Sequence, residues 1–153
     1  MMTISVDQIK KLREKSGAGI VDCRKALEEA KGDEKKAEEL LRSWGIDKAA
    51  AKADREAGQG LVETYIHGGG RVGAMVEVNC ETDFVARTDE FKTLAHEIAM
   101  QVSAMDPKDV EELLGQEYIR DASKNISDLV KEAIAKLGEN IVVKRFMRFE
   151  LGS

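Results

Sequence analysis

The sequence has few of the residues on which enzyme chemistry depends. Among 153 residues there are two histidines and two cysteines, and Cys23 and Cys80 lie far apart rather than in a close Cys-x-x-Cys pair. No serine, histidine and aspartate pattern of a hydrolase occurs, and no carboxylate pair lies in an apolar setting. His67 and His96 fit surface positions better than a general base. We therefore expect a binding protein without cofactor or metal, and no enzyme.

Two glycine-rich stretches lack the residues of nucleotide sites. Gly17-Ala18-Gly19 begins like a dinucleotide-binding loop, but it follows a predicted helix instead of a strand and has no third glycine at the required spacing. Gly68-Gly69-Gly70 is not followed by the lysine and hydroxyl residue of a phosphate-binding loop. Both stretches are typical of turns.

The charge and the hydrophobic pattern exclude two further classes of partner. The chain carries 29 Asp and Glu against 24 Lys and Arg, a net charge of -5, so no basic surface for DNA or RNA is expected. No apolar run approaches the roughly 20 residues of a membrane helix, and the amino terminus lacks a signal-peptide pattern. Two unpaired cysteines are typical of a reducing compartment. We expect a cytoplasmic protein that binds neither nucleic acid nor membrane directly.

The first third of the chain has the pattern of three short helices joined by glycine turns. Ser5 and Gln8 form a capping-box signal, and glycines at 17, 32 and 45 are stop signals. The positions expected to be buried are Val6, Ile9, Leu12, Cys23, Ala26, Leu27, Ala30, Ala37, Leu40, Leu41 and Trp44. They predict one small core, with Trp44 as its largest residue. Residues 46–57 lack a wide apolar stripe and indicate a solvated helical connector, so the boundary falls between a three-helix domain, 1–55, and a second domain, 56–153.

The second domain shows clustered strands and helices, which predicts an α+β fold. Strands over 61–66 and 72–79 form a hairpin, and a closing strand over 141–151 completes a three-stranded antiparallel sheet. Helices are expected after Thr88 or Asp89, with a stripe that ends at Met105, and after Ser127. The segment 107–125 shows only short helical signals.

One face of this sheet has no obvious cover within the chain. The alternation of the closing strand places Ile141, Val143, Met147 and Phe149 on one side, although Arg145 and Phe146 interrupt it. Helices can cover one face only, and a second copy of the chain is the simplest cover for the other. We therefore expect a homodimer, with Met147 and Phe149 in its interface.

A short polar connection, 79–88, joins the strongest strand signal to the strongest helix signal. It contains Phe84 and Val85. An aromatic residue in such a connection either plugs the core of its own protein or anchors a partner, and the plug is the commoner arrangement.

Several segments, taken together, resemble the bacterial elongation factor Ts family. They occur in the family's order, cover nearly the whole chain, and are Lys11-Leu12-Arg13, Gly17-Ala18-Gly19, Asp22-Cys23-Arg24-Lys25-Ala26-Leu27, Asn79 to Arg87 and Gly138-Glu139-Asn140-Ile141. The resemblance implies a guanine-nucleotide exchange factor for the translational GTPase elongation factor Tu. It also implies an amino-terminal three-helix domain like a ubiquitin-associated domain, followed by an α+β core.

The resemblance also implies roles for single residues. In this family the Asp and Phe of a Thr-Asp-Phe-Val motif enter the GTPase near its magnesium site, where they promote loss of GDP. The motif matches Thr82, Asp83, Phe84 and Val85. The amino-terminal domain docks on another helix of the GTPase through a segment whose candidate contacts here are Gly19, Arg24 and Lys25.

The chain departs from the long members of the family in two ways. It ends after one sheet unit, where long members continue into a related subdomain, and this fits the short, homodimeric type. The region between Met105 and Ser127 is too short for the helical hairpin that many members insert. A competing function is a three-helix protein-protein docking or holdase module without exchange activity, in which Phe84 belongs to the core.

Overall fold

A computed structural model describes residues 3–153 as a mixed α and β protein. The helices are α1 (Val6–Ser16), α2 (Ile20–Glu29), α3 (Glu34–Lys52), α4 (Asp83–Ala86), α5 (Asp89–Met105), α6 (Val110–Gly115) and α7 (Ile126–Leu137). The strands are β1 (Gln59–His67), β2 (Val72–Cys80), β3 (Glu117–Tyr118), β4 (Asp121–Asn125) and β5 (Val142–Glu150). A three-stranded antiparallel sheet in the order β1-β2-β5 confirms the predicted α+β fold class. In the described part of the chain, no helix is long and apolar enough to cross a membrane.

The three amino-terminal helices pack around a small core of their own. The Ser5 hydroxyl accepts from Gln8 N at 3.2 Å and the Gln8 side chain accepts from Ser5 N at 2.9 Å, so the predicted capping box is confirmed. Gly17 ends α1 in the left-handed conformation, with φ of 70°. The buried residues are Leu12, Cys23, Ala26, Leu27, Ala30 and Ala37. Val6 is exposed instead of buried, and Trp44 is half-buried at the edge of this core rather than its centre.

The prediction that α3 ends at Gly45 is wrong, because the helix continues to Lys52. A glycine inside a helix costs only about 1 kcal/mol relative to alanine, which the tertiary contacts of α3 can outweigh. A Cβ at Gly45 would lie 3.5 Å from the Cβ of Ala135, which is an ordinary van der Waals contact, so the packing of α3 on α7 does not require a glycine here. Ala49 is buried in the core of the sheet unit, so residues 46–52 continue α3 and pack on that unit through one residue, while most of the segment is exposed as predicted. The division into domains 1–55 and 56–153 stays a prediction.

The main core lies between the sheet and the helices on one of its faces. Helix α5 packs along β1, β2 and β5, and α7 packs against α5 and α3. Val76 and Val78 of β2 and Phe91 and Ile98 of α5 are fully buried in this layer. The alternating pattern of β2 and the helical stripe of α5 therefore meet as predicted, except that Met105 at the end of the stripe is half exposed.

A bulge in β5 corrects the predicted alternation of that strand. Glu77 of β2 pairs with Arg145, whereas the next residue, Val78, pairs with Val143, so Lys144 is an extra residue in β5. One inserted residue transfers every later side chain to the opposite face.

The bulge separates the residues that were predicted to share one side of β5. Val143 is buried against the helices, and Phe146 packs against the same core. Met147 and Phe149 are 62% and 71% exposed on the opposite, open face of the sheet. The predicted grouping of Ile141 and Val143 with these two residues is therefore wrong, although the open face itself is present.

The segment 107–125 contains more structure than its sequence pattern predicts. Besides α6 it forms the β3-β4 hairpin, which is tied to α5 by the buried side chain of Gln101. The Gln101 amide donates to the carbonyl of Glu117 at 3.0 Å, and its oxygen accepts from Ile119 N at 3.1 Å. The cap of α7 is Asn125 rather than Ser127, since the Asn125 side chain accepts from Asp128 N at 2.8 Å.

Candidate protein interaction surface

The connection between β2 and α5 contains a single turn of helix, α4, that is capped at both ends by threonines. The Thr82 hydroxyl accepts from Val85 N at 3.3 Å at the start of the turn. The Thr88 hydroxyl donates to Val85 O at 2.7 Å at its end, and it also accepts from Phe91 N at 3.2 Å as the cap of α5. The predicted cap at Thr88 is confirmed, and the predicted polar connection is a defined turn rather than an irregular loop.

This turn separates its two apolar side chains onto opposite sides. Val85 is 6% exposed and, with the neighbouring Ala86, belongs to the main core. Phe84 is 78% exposed. The structure therefore excludes the arrangement in which Phe84 plugs its own core, and Val85 anchors the turn from inside rather than offering a contact surface.

Charged residues flank Phe84 on the exposed side of α4. Asp83 and Arg87 form an ion pair of 2.6 Å across one helical turn, and their side chains are 66% and 72% exposed. An exposed pair of this type contributes about 0–1 kcal/mol to stability, so a partner can separate it at little cost. The Asp83 carboxylate is therefore available for a new contact.

The backbone that enters α4 is held by Glu139, which lies 57 residues later than Thr82 in the chain. The Glu139 carboxylate accepts from Glu81 N at 3.1 Å and Thr82 N at 3.0 Å through Oε1. It accepts from the Thr82 hydroxyl at 2.7 Å through Oε2. Sequence reasoning did not assign a role to Glu139, because only the resemblance, and no local pattern, singled out its segment.

The same junction is linked to the end of α3. The Glu81 carboxylate accepts from Asn140 N at 2.6 Å and lies 3.6 Å from the Arg55 guanidinium. The Asn140 side chain, which is 4% exposed, donates to the carbonyl of Arg55 at 2.8 Å. Residues that follow α3, β2 and α7 in the chain thus meet at the start of α4.

A second candidate surface surrounds the start of α2. Gly19 is the N-cap residue, and nothing lies within 4 Å of the position that a Cβ would take. Arg24 pairs with Glu28 at 2.9 Å, and the Lys25 ammonium lies 5.1 Å from the centre of the Trp44 ring. Sequence reasoning missed two apolar residues beside them, Ile20 and Val21, which are 55% and 77% exposed. Their signal was present, since both lie outside the buried stripe of α2.

The open face of the sheet is a third candidate surface. Three of its cross-strand rows are Val62-Glu77-Arg145, Thr64-Met75-Met147 and Ile66-Gly73-Phe149. The first row contains the Arg145–Glu77 ion pair of 2.8 Å, which lowers the pKa of Glu77, whereas the other two rows are almost entirely apolar. Ile66 lies across Gly73, because a Cβ at that glycine would be 2.5 Å from the Ile66 side chain. The result is an exposed apolar patch with one neutralised polar edge.

The first two surfaces belong to different packing units. Helix α4 packs on β1, β2 and α5, whereas α2 packs on α1 and α3. The structure thus places Thr82, Asp83 and Phe84 together in one surface, and Gly19, Arg24 and Lys25 together in another. None of the three surfaces has a group of three or more potential metal ligands among residues 3–153.

Comparison with known proteins identifies the family of this chain. A family model described as elongation factor TS matches residues 81–153, which include α4 and the Glu139 junction. An elongation factor Ts of Thermoanaerobacter sp. (strain X514) is 47% identical over 194 aligned positions, which cover 97% of this chain and 95% of the relative. That of Herpetosiphon aurantiacus is 44% identical and is covered in full. The chain belongs to the elongation factor Ts family. It is therefore a translation elongation factor, as the sequence resemblance predicted.

The relatives also show that elongation factor Ts proteins differ in length. The alignment with the Thermoanaerobacter protein has 194 positions against 153 residues here, so at least 41 positions have no counterpart in this chain. The elongation factor Ts of Nostoc sp. is 51% identical over 151 positions, which are 99% of this chain but only 48% of that protein.

The opposite burial of Phe84 and Val85 predicts opposite effects on stability. We expect Phe84→Ala to change the free energy of unfolding by less than about 0.5 kcal/mol, because the side chain contacts little in the folded chain. Val85→Ala should destabilise by more than about 1 kcal/mol, because it removes buried methyl groups. Urea unfolding of both variants measures the difference. A large loss of stability in Phe84→Ala would show that the ring is buried.

Proposed function

We propose that this chain binds elongation factor Tu and promotes release of GDP from it, as a guanine-nucleotide exchange factor. The observation that carries the proposal is the exposure of Phe84 on a turn whose other side is buried in the core. A large aromatic ring held in solvent on a fixed backbone is typical of an interface anchor. Family membership supports the choice of partner, and the proposal extends it to the activity and to named residues.

The exchange requires no contact between this chain and the nucleotide. If binding of the factor lowers the affinity of the GTPase for GDP by some ratio, thermodynamic linkage requires GDP to lower the affinity for the factor by the same ratio. The effect is thus a coupling free energy between two ligands that favour different conformations of the GTPase. Residues that make contacts in only one of these conformations supply it.

Phe84 and Asp83 are suited to supply this coupling in different ways. Burial of a phenylalanine side chain in a partner contributes roughly 1.5–3 kcal/mol, or about ten- to a hundredfold in an equilibrium constant. The Asp83 carboxylate, once separated from Arg87, can repel or rearrange oxygen ligands near a bound magnesium ion. Because Mg²⁺ requires near-ideal octahedral geometry, small displacements of its ligands weaken its binding. We propose that the phenylalanine makes the larger contribution.

Removal of the Phe84 ring tests the activity. We expect Phe84→Ala to slow stimulated release of labelled GDP from elongation factor Tu by about tenfold or more, the size of a hot-spot loss. Ile119→Ala is the matched control, since Ile119 is a partly exposed apolar residue in the β3-β4 turn. Normal exchange by a folded Phe84→Ala variant would contradict the proposed anchor.

A docking or holdase module without exchange activity is the second candidate function. It is favoured by the exposed apolar residues of α2, which could bind a partner without help from α4. The same measurement separates the two functions, because an exchange factor accelerates GDP release at catalytic amounts. A chain that binds the GTPase but leaves GDP release unchanged at every concentration is a docking module.

We further propose that the surface at the start of α2 docks on a separate part of the GTPase. Gly19 permits close approach of a partner backbone, Val21 and Ile20 offer apolar area, and Arg24 and Lys25 add positive charge. In this arrangement the amino-terminal helices add affinity, and α4 produces the exchange. Docking and exchange are then separable by mutation.

A charge in this surface tests the separation. We expect Val21→Glu to weaken binding of elongation factor Tu by about tenfold. The introduced carboxylate would lose water in the interface without gaining a partner of opposite charge. The rate of GDP release at saturating factor should stay unchanged. Val6→Glu on α1 introduces the same charge at another exposed valine and serves as the control. A lower saturating rate in Val21→Glu would contradict the separate roles.

The open sheet face supports the proposal that the chain forms a homodimer. Met147 and Phe149 are its most exposed apolar residues on β5, and both lie in the two apolar rows. A two-fold axis would place each apolar row against the same surface of a second copy, so that one contact covers both faces. Because Glu77 and Arg145 neutralise each other, the polar edge adds no net charge to repel the second copy.

Light scattering at micromolar concentration tests the dimer. The expected mass is twice the 16.9 kDa of one chain. Met147→Glu should yield the monomer, because it places a charge in the middle row on each side of the interface. Ile119→Glu, which lies outside the sheet, should leave the dimer intact. A single-chain mass for the unaltered protein would exclude the homodimer.

A further inference from the structure

We propose that Glu139 is a positioning residue, which holds α4 in the orientation that presents Phe84 to a partner. The proposal rests on the role proposed above for Phe84 and concerns how this ring is held before the partner binds. Three features support it: the shortness of α4, the two hydrogen bonds of the Thr82 hydroxyl, and the exposure of Phe84.

A helix of four residues cannot maintain its own geometry. Isolated helices shorter than about 12–15 residues are marginal in water, since nucleation of the first turn is unfavourable. The geometry of α4 therefore depends on contacts from outside the turn. Val85 and Ala86 anchor its inner side in the core, and Thr88 holds the carbonyl of Val85 at its end. At its start, the Thr82 side chain accepts from Val85 N.

Glu139 fixes the direction of the hydrogen bonds that the Thr82 hydroxyl makes. A hydroxyl has one proton to donate, and Glu139 Oε2 accepts it, so the oxygen lone pairs are left for Val85 N. A carboxylate is a suitable group for this task because it only accepts, and hydrogen bonds to it are stronger than bonds between neutral groups. The other oxygen of Glu139 accepts from two successive backbone N–H groups, which fixes the peptide that precedes the cap.

The orientation of Phe84 follows from that of the backbone of α4. With 78% of its surface exposed, the ring has little contact with its own chain that could hold it. If α4 is formed for only a fraction of the time, the apparent affinity of the factor for its partner falls by that fraction. The complex, once formed, is unchanged. Loss of Glu139 should thus raise the concentration of factor that is needed, whereas loss of Phe84 should lower the maximal rate.

GDP release from elongation factor Tu, measured against the concentration of factor, separates these effects. For Glu139→Ala we expect the half-saturating concentration to rise roughly tenfold, the loss typical of one hydrogen bond to a charged group, with the maximal rate retained. Glu139→Gln keeps an oxygen for the two backbone N–H groups but cannot accept from the hydroxyl at the other position, so a smaller rise is expected. Glu111→Ala, which removes an exposed carboxylate from α6, should change nothing.

Amide hydrogen exchange of the free chain gives a readout that does not involve the partner. In Glu139→Ala, the amides of Thr82 and Val85 should exchange several-fold faster, while the amide of Ile98 in α5 keeps its protection. Phe84→Ala should leave all three amides unchanged. Faster exchange throughout α5 would instead mean a general loss of stability and would overturn the proposal.

The two readouts keep this proposal distinct from the proposed function. Unchanged exchange at Thr82 and Val85 would show that Glu139 does not hold α4. Faster exchange there with an unchanged half-saturating concentration would show that the order of α4 does not matter for binding. If the unaltered chain fails to stimulate GDP release at all, the proposed function and the binding role of Glu139 fail together, while the amides still decide whether Glu139 holds the turn.

Discussion

The packing of α5 on one face of β2 is the contact on which the rest of the sheet unit depends. Val76 and Val78 from the strand and Phe91 and Ile98 from the helix are removed completely from solvent. Burial of side chains of this size contributes about 1.5–3 kcal/mol each relative to exposure. The connection between these two elements must therefore be short and must turn sharply. Helix α4 is that turn, and its inner side is part of the same core.

The one-sided packing has two consequences for the surface. The opposite face of the sheet keeps its apolar rows, because the described chain supplies no second layer of helices for it. At the edge of the packed layer, α4 can bury only one side, so the residue next to Val85 in the sequence points to solvent. Phe84 and Phe149 are thus exposed for the same reason, which is that helices cover only one face of the sheet.

Local signals in the sequence predicted most of the secondary structure. The capping box at Ser5, the left-handed Gly17 and the stripe of α5 each depend on neighbours within one or two turns. The bulge at Lys144 could not be predicted in this way, because it is defined by the pairing of β5 with β2. The continuation of α3 through Gly45 likewise depends on distant contacts, since α3 packs on α7 and Ala49 is buried in the core of the sheet unit.

The candidate site shows the same division between local and distant causes. Thr82 as a cap and Phe84 as an unusual aromatic could both be recognised within the short connection that contains them. The burial of Val85 and the exposure of Phe84 could not be told apart, since a one-turn helix shows no period. The contacts of Glu139 were out of reach as well, because a glutamate after a helix is an ordinary surface residue in any local pattern.

The hydrogen bonds at the start of α4 connect segments that are distant in the sequence. Glu81 and Glu139 each accept backbone N–H groups from the other's segment, and Asn140 binds the carbonyl of Arg55 just after α3. The end of the helix that leads from the amino-terminal core is thereby bonded to the segment that holds α4. A force that moved α3 relative to the sheet would have to break hydrogen bonds to ionised or buried groups, which are expensive to leave unpaired. The two surfaces proposed to bind the GTPase belong to different cores, and this junction bonds the backbone that follows α3 to the segment that holds α4.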